Sequence, residues 1–133
     1  MKKILITGAG GTPAVNFVRS LKAAPEKFYF IGTDCNKFYL QRAETNEKYL
    51  VPKAADYTYI AILNDIIKET GAEFIHTQND VELGIMSKNR AKLAAKTFLP
   101  SKKTVELCQN KLATSRIWTR RKLPQPKTLP INS

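Results

Sequence analysis

Along the chain, short uninterrupted apolar runs alternate with longer stretches whose apolar residues recur every three or four positions, the pattern of buried strands followed by amphipathic helices. Ile4-Leu5-Ile6 reads as a first strand. The run breaks at Gly8-Ala9-Gly10-Gly11, after which Thr12 as N-cap and Pro13 at the first helical position open a helix carrying Ala14, Phe17, Val18 and Leu21 on one stripe. The aromatic and β-branched run Lys27 to Asp34 predicts a second strand. Residues 37–47 are polar, with one helical turn expected around Leu40 to Ala43, and Tyr49-Leu50-Val51 forms a third strand closed by Pro52. Asp56 then caps a helix that runs to Thr70, buries Ile60, Leu63 and Ile67, and stops at Gly71. Phe74 to Thr77 gives a fourth strand, Gln78 to Glu82 opens a further helix, and Thr97-Phe98-Leu99-Pro100 gives a fifth strand.

Regular strand and helix alternation predicts an α/β fold, Rossmann-like, with three α/β/α layers around a parallel sheet of about five strands. Right-handed crossovers place every strand's carboxyl end on one edge, where ligands bind at the switch in strand order. Residues 1–100 form this domain, and residues 101–133 a helical junction with an extended tail.

The 133 residues suffice for one ordinary core. Apolar runs are too short for a membrane span, no signal-peptide pattern opens the chain, and Cys35 and Cys108 make no disulfide framework, so a cytoplasmic protein is expected. Net charge is +11, which alone would suggest a polyanion partner. Its distribution changes that picture: residues 1–99 hold 14 basic against 10 acidic residues, whereas residues 100–133 hold 8 against 1. The excess belongs to Arg116, Arg120, Arg121, Lys122 and the proline-punctuated tail from Leu123 to Ser133.

Candidate chemistry sits where strands end. A glycine turn before a helix N-terminus offers backbone N–H groups to a phosphate or carboxylate, which makes Gly8, Gly10, Gly11 and Thr12 candidate contacts. Such glycines also serve turns with no ligand. Asp34 stands where an acid would bind a ribose diol, and equally Asp34 and Asn36 suit a self-bonded turn. Asn79, Asp80 and Glu82 open the helix after strand four, where acids also favour the helix dipole. The histidine at position 76 fits a packed strand residue better than a base. Tyr49 and Lys53 have the spacing of a dehydrogenase pair, but Pro52 interrupts the helix that pair needs.

The succession ITGAGG with Asn16, Arg19, Ser20 and Leu21, IGTD with Asn36, YLVP, QNDVEL, Ser87 with Arg90, LPS, CQNK and LPQPKT resembles the amino-terminal part of an ATP-grasp ligase, of the type of the carbamoyl-phosphate synthase large subunit. The resemblance covers nearly the whole chain. It implies a pre-ATP-grasp domain that helps to hold a small carboxylate substrate, with ATP and Mg2+ used by the full-length ligase to activate that acid as an acylphosphate. It further implies that Lys111 approaches the nucleotide, although Asn110 replaces the usual acid, and that Gly10, Gly11 and Glu82 contact substrate. An ATP-grasp domain, in cis or in trans, is the implied partner, and the chain alone is expected to be inactive.

Two other readings stand beside this one. A small NAD(P)-binding Rossmann module would use Gly8, Gly11, Ala14 and Asp34. A nucleic-acid-binding module would use the basic stretch from Arg116 to Lys122, but its aromatics are not interleaved with those charges, which disfavours it. The residues leave a homodimer open and do not name the substrate acid.

Overall fold

The computed structural model describes residues 1–129. The chain divides into two compact units, Met1–Leu99 and a second beginning at Pro100. The first is built on four strands, β1 (Lys2–Thr7), β2 (Phe28–Asp34), β3 (Glu47–Leu50) and β4 (Phe74–Thr77). They form one parallel sheet in the order β3-β2-β1-β4.

That order reverses at β1, so the chain first builds outward on one side and then returns to the other. Helix α1 (Thr12–Lys22) packs Ala14 and Val18 on one sheet face with Ile4, Ile6, Phe30 and Ala43. The short α2 (Lys37–Arg42) follows β2. Helices α3 (Tyr59–Thr70) and α4 (Asp80–Lys88) cover the opposite face, where Tyr59, Leu63, Ile66, Ile67 and Met86 pack on Leu5, Ile31 and Ile75. Helices on both faces give the expected three layers, and the buried runs of β1 and β2 need them there.

Four details differ from the sequence reading. The expected fifth strand at 97–100 is absent: next to β4 the chain makes a single parallel bridge, Phe74 with Lys96. Pairing stops there because Leu99 turns its N–H to Thr97 Oγ1 and Pro100 has no N–H to give. The third strand lies at Glu47–Leu50, just before the expected residues, since Val51 N–H already donates to the Asp34 carbonyl beyond the ladder. Gly11, not Thr12, is the N-cap of α1, because its extended backbone precedes a helix with Pro in the first turn. Asp56 closes a turn on Thr58 N–H at 2.8 Å, and Thr58 stands at the N-cap of α3. Gly71 ends α3 with φ at 70°, as its place after the last apolar residue required.

The second unit contains α5 (Lys102–Gln109) and α6 (Lys111–Arg120), joined at Asn110. Gln125 Nε2 donates to the Ser115 carbonyl at 2.9 Å and to Thr119 Oγ1 at 2.6 Å, so the following segment lies along α6. The end of the expected tail, residues 130–133, lies outside the described residues. Among the described residues no helix is long and apolar enough to cross a membrane.

Candidate functional site

Three polar segments follow the carboxyl ends of β1, β2 and β4, which are neighbours in the sheet. They meet around a buried carboxylate. In a parallel sheet, residues in register point to the same face, and side chains alternate with period two. Leu5, Ile31 and Ile75 therefore make an apolar row across β1, β2 and β4, and Thr7, Thr33 and Thr77 make a hydroxyl row one pleat later. Glu82, in the first turn of α4, reaches down onto that row. Its Oε2 accepts from Thr7 Oγ1 at 2.8 Å and Thr77 Oγ1 at 3.1 Å, and its Oε1 accepts from Tyr59 OH at 3.0 Å.

Glu82 is buried, as are its three donors. Burial raises its pKa above the ordinary glutamate range, the three hydroxyls pull back against that, and the nearby Asp34 charge adds to the rise. The Tyr59 hydroxyl is also pushed up, by burial first and then by the Glu82 charge. Thr33, the third hydroxyl of the row, is fully buried and its Oγ1 finds no partner among the described residues.

The glycine turn sits directly above. Gly8 has φ at 57°, and a Cβ there would stand 3.0 Å from Glu82 Oε2. Gly10 is required for a different reason: its Cβ would fall 1.8 Å from the Tyr39 carbonyl oxygen, because the start of α2 lies against the turn. The N–H groups of the turn are turned inward. Ala9 donates to the Thr33 carbonyl at 3.0 Å, Gly10 to Asp34 Oδ2 at 3.2 Å, and Gly11 to the Gly8 carbonyl at 2.9 Å.

Asp34 is buried, and its other oxygen accepts from Asn36 N–H at 2.9 Å, so both oxygens brace loops. Asn36 in turn caps α2 by accepting from Phe38 and Tyr39 N–H. On the other side of the turn, Asn79 caps α4 by accepting from Val81 and Glu82 N–H, and its own N–H donates to Thr77 Oγ1. The two asparagines are thus equivalent: each is held from below by the side chain that ends a strand, and each commits its Oδ1 to a helix. No described residue takes up the Nδ2 of either. Thr12 and Asp80 are exposed beside them, at the first turns of α1 and α4.

The structure therefore gathers Gly8, Gly10, Asp34, Asn79 and Glu82 through direct contacts, with Gly11, Thr12, Asn36 and Asp80 at the same edge. Lys111 belongs to the second unit. There it begins α6 after Asn110, whose Oδ1 accepts from Ala113 N–H at 3.0 Å, a capping task that suits Asn as well as Asp. With Cys108, Thr114, Ser115, Trp118 and Gln125 it lines a hollow of about 200 Å³, below the size range of cofactor pockets. Among the described residues no three acidic, histidine or cysteine side chains cluster to hold a metal ion. The histidine at 76 is half-buried and stacks on Phe17 at 4.2 Å, and burial lowers its pKa.

Sequence reasoning missed Thr7, Thr77 and Tyr59. The threonines carry a signal: β1, β2 and β4 each place a threonine two residues after a buried aliphatic residue, at or next to the strand's end.

The family described as PylC-like, N-terminal domain, matches residues 4–99. Two solved structures share the fold. One is the biotin carboxylase domain of a single-chain bacterial carboxylase, with TM-score 0.62 and 19% identity over 93% of this chain and 30% of that one. The other is the multifunctional pyruvate carboxylase from Rhizobium etli, with TM-score 0.60 and 18% identity over 96% of this chain and 13% of that one. This chain thus spans less than a third of either. No curated protein sequence matches it.

Proposed function

The chain belongs to the PylC-like N-terminal domain family, which bears out its resemblance to the amino-terminal domain of an ATP-grasp ligase, and from that premise we propose that it holds the carboxylate substrate of such a ligase. The observation that carries this reading is the convergence of the β1, β2 and β4 loops on one sheet edge. There Asn36 and Asn79 have their oxygens committed to helix caps, and each is left with N–H donors for a ligand.

The roles divide accordingly. Asn36 and Asn79 Nδ2, the Thr12 hydroxyl and the N-terminal end of α1 supply donors to a carboxylate oxygen. Gly11 keeps the backbone open to the ligand, Gly10 makes room for the start of α2, and Gly8 leaves room for Glu82. Asp34 and Glu82 fix the loops and do not need to touch the substrate, while Asp80 stands at the rim. Lys111 meets nucleotide only in company with an ATP-grasp domain. Activation of the acid by ATP needs a magnesium site and a phosphate-covering loop. In this reading the chain by itself holds the substrate, and turnover belongs to the ATP-grasp partner. Asp34 is buried and accepts a backbone N–H on each oxygen, which disfavours it as the ribose acceptor of the dinucleotide reading.

Replacing Asn36 or Asn79 by Asp tests this directly, since Asp caps a helix as well as Asn but brings a negative charge in place of the donor pair. Titration of the 15N-labelled chain with candidate amino acids and other small carboxylates should shift the amides of residues 8–12, 36 and 79. Each Asn→Asp variant should weaken that binding at least about tenfold. Binding that ignores both variants, shifts confined to other residues, or ATP-dependent ligation by this chain alone would refute the proposal.

A further inference from the structure

Between α3, the connection that leads into it from β3, and α4, the surface carries a groove of about 430 Å³. Its apolar lining is mostly small, made by Ala54, Ala55, Ala61, Ile60 and Ile85. At one end, in the turn before α3, stands Asp56; at the other, where Asn64 Nδ2 holds the Lys92 carbonyl at 2.7 Å, stands Lys92. The two ends are about one and a half helical turns apart along α3. Neither charge has an ion-pair partner among the described residues. Tyr57, next to Asp56, is 95% exposed, the most exposed large apolar side chain among the described residues.

A surface that is negative at one end, positive at the other, hollow in the middle and flanked by a projecting ring is complementary to itself under a two-fold rotation. We propose that this face binds a second copy of the same chain, with α3 of one protomer antiparallel to α3 of its partner. Rotation about an axis near Ala61 sets Asp56 of each protomer against the Lys92 end of the other. The same rotation lays each Tyr57 ring into the alanine-floored hollow opposite, where its hydroxyl meets the polar end formed by Asn89 and Lys92. Small residues on the floor are what such an arrangement needs, because a longer side chain at position 61 would occupy the space of the ring.

Sedimentation velocity on the 133-residue chain, up to about 1 mM, should show a concentration-dependent dimer. Ala61→Arg puts a good helix former at an exposed helical site, so the fold should survive while the hollow is filled. It should raise the dimer dissociation constant at least about tenfold, and Lys92→Glu should do likewise. Pairing Lys92→Glu with Asp56→Lys should recover the dimer, because both contacts reverse sign together. Melting curves of each variant establish that it is folded. A chain that remains monomeric throughout, a dimer indifferent to Ala61→Arg, or a folded double variant that fails to recover would each overturn the proposal.

Discussion

Replacing Gly10 by alanine is the sharpest test of how the rim is built. The added Cβ would lie 1.8, 2.2 and 2.8 Å from the O, C and Cα atoms of Tyr39, all backbone. Ordinary contacts of this kind need more than 3 Å, so the start of α2 has to retreat by more than about 1 Å. No side-chain rotation relieves the clash. Overpacking of this sort costs about 1–3 kcal/mol, and loss of the Gly10 N–H bond to the Asp34 carboxylate adds about 1.5–3 kcal/mol. The expected loss is therefore roughly 2.5–6 kcal/mol, a large share of the stability of a domain this size. Two other glycines calibrate it. At Gly71 the backbone is left-handed but nothing lies within 4 Å, so alanine should cost about 1 kcal/mol. At Gly11 the φ is −71° and the nearest atom, the Gly8 carbonyl oxygen, is 3.2 Å away, so alanine should cost less than about 1 kcal/mol. Urea unfolding of the three variants should rank them in that order. A Gly10→Ala chain no less stable than Gly71→Ala would refute the packing argument.

Glu82→Gln should alter the pH dependence of stability. Because the folded pKa is raised, the carboxyl is better tolerated protonated, so the wild type loses stability as pH rises from the unfolded glutamate value through the folded one. The glutamine variant lacks that loss, and its stability relative to wild type should climb as pH rises above about 4, the ordinary glutamate range, in paired denaturation curves; a flat difference would contradict it. Thr33→Val removes a buried hydroxyl that has no partner and keeps its shape, which should stabilise the first unit by about 1 kcal/mol, read as a higher urea midpoint. Lys122 ends α6 with φ at 55°, so Lys122→Gly should stabilise the second unit by about 1 kcal/mol in thermal melts, whereas Lys122→Ala should not.

Much of the layered fold was legible because β1, β2 and β4 are short apolar runs, and α1 and α3 carry clear stripes. The fifth strand was misread for a local reason: Thr97 to Leu99 has strand composition, but strand formation also depends on a backbone partner, and the ladder ends at Lys96. The candidate site was legible as a set of loops and not as a set of roles. Gly10 looked like a phosphate contact, while its lack of a side chain is dictated by Tyr39, nearly thirty residues on. Glu82 looked like a substrate contact or a first-turn acid favoured by the helix dipole. Only the fold brings Tyr59 from α3 and two strand-ending threonines around it, and no spacing along the chain encodes that meeting.

The hydroxyl cage joins Thr7 to a residue 75 positions later, and this has a kinetic meaning. With β1 paired to β2 alone, Thr7 has no carboxylate to bond, because Glu82 follows β4 along the chain. The contact closes a long loop and so bears an entropic cost that nearer contacts do not. Assembly of the rim is thereby a marker of completion: until the last strand docks, the loops that would grip a ligand have nothing to hold them together.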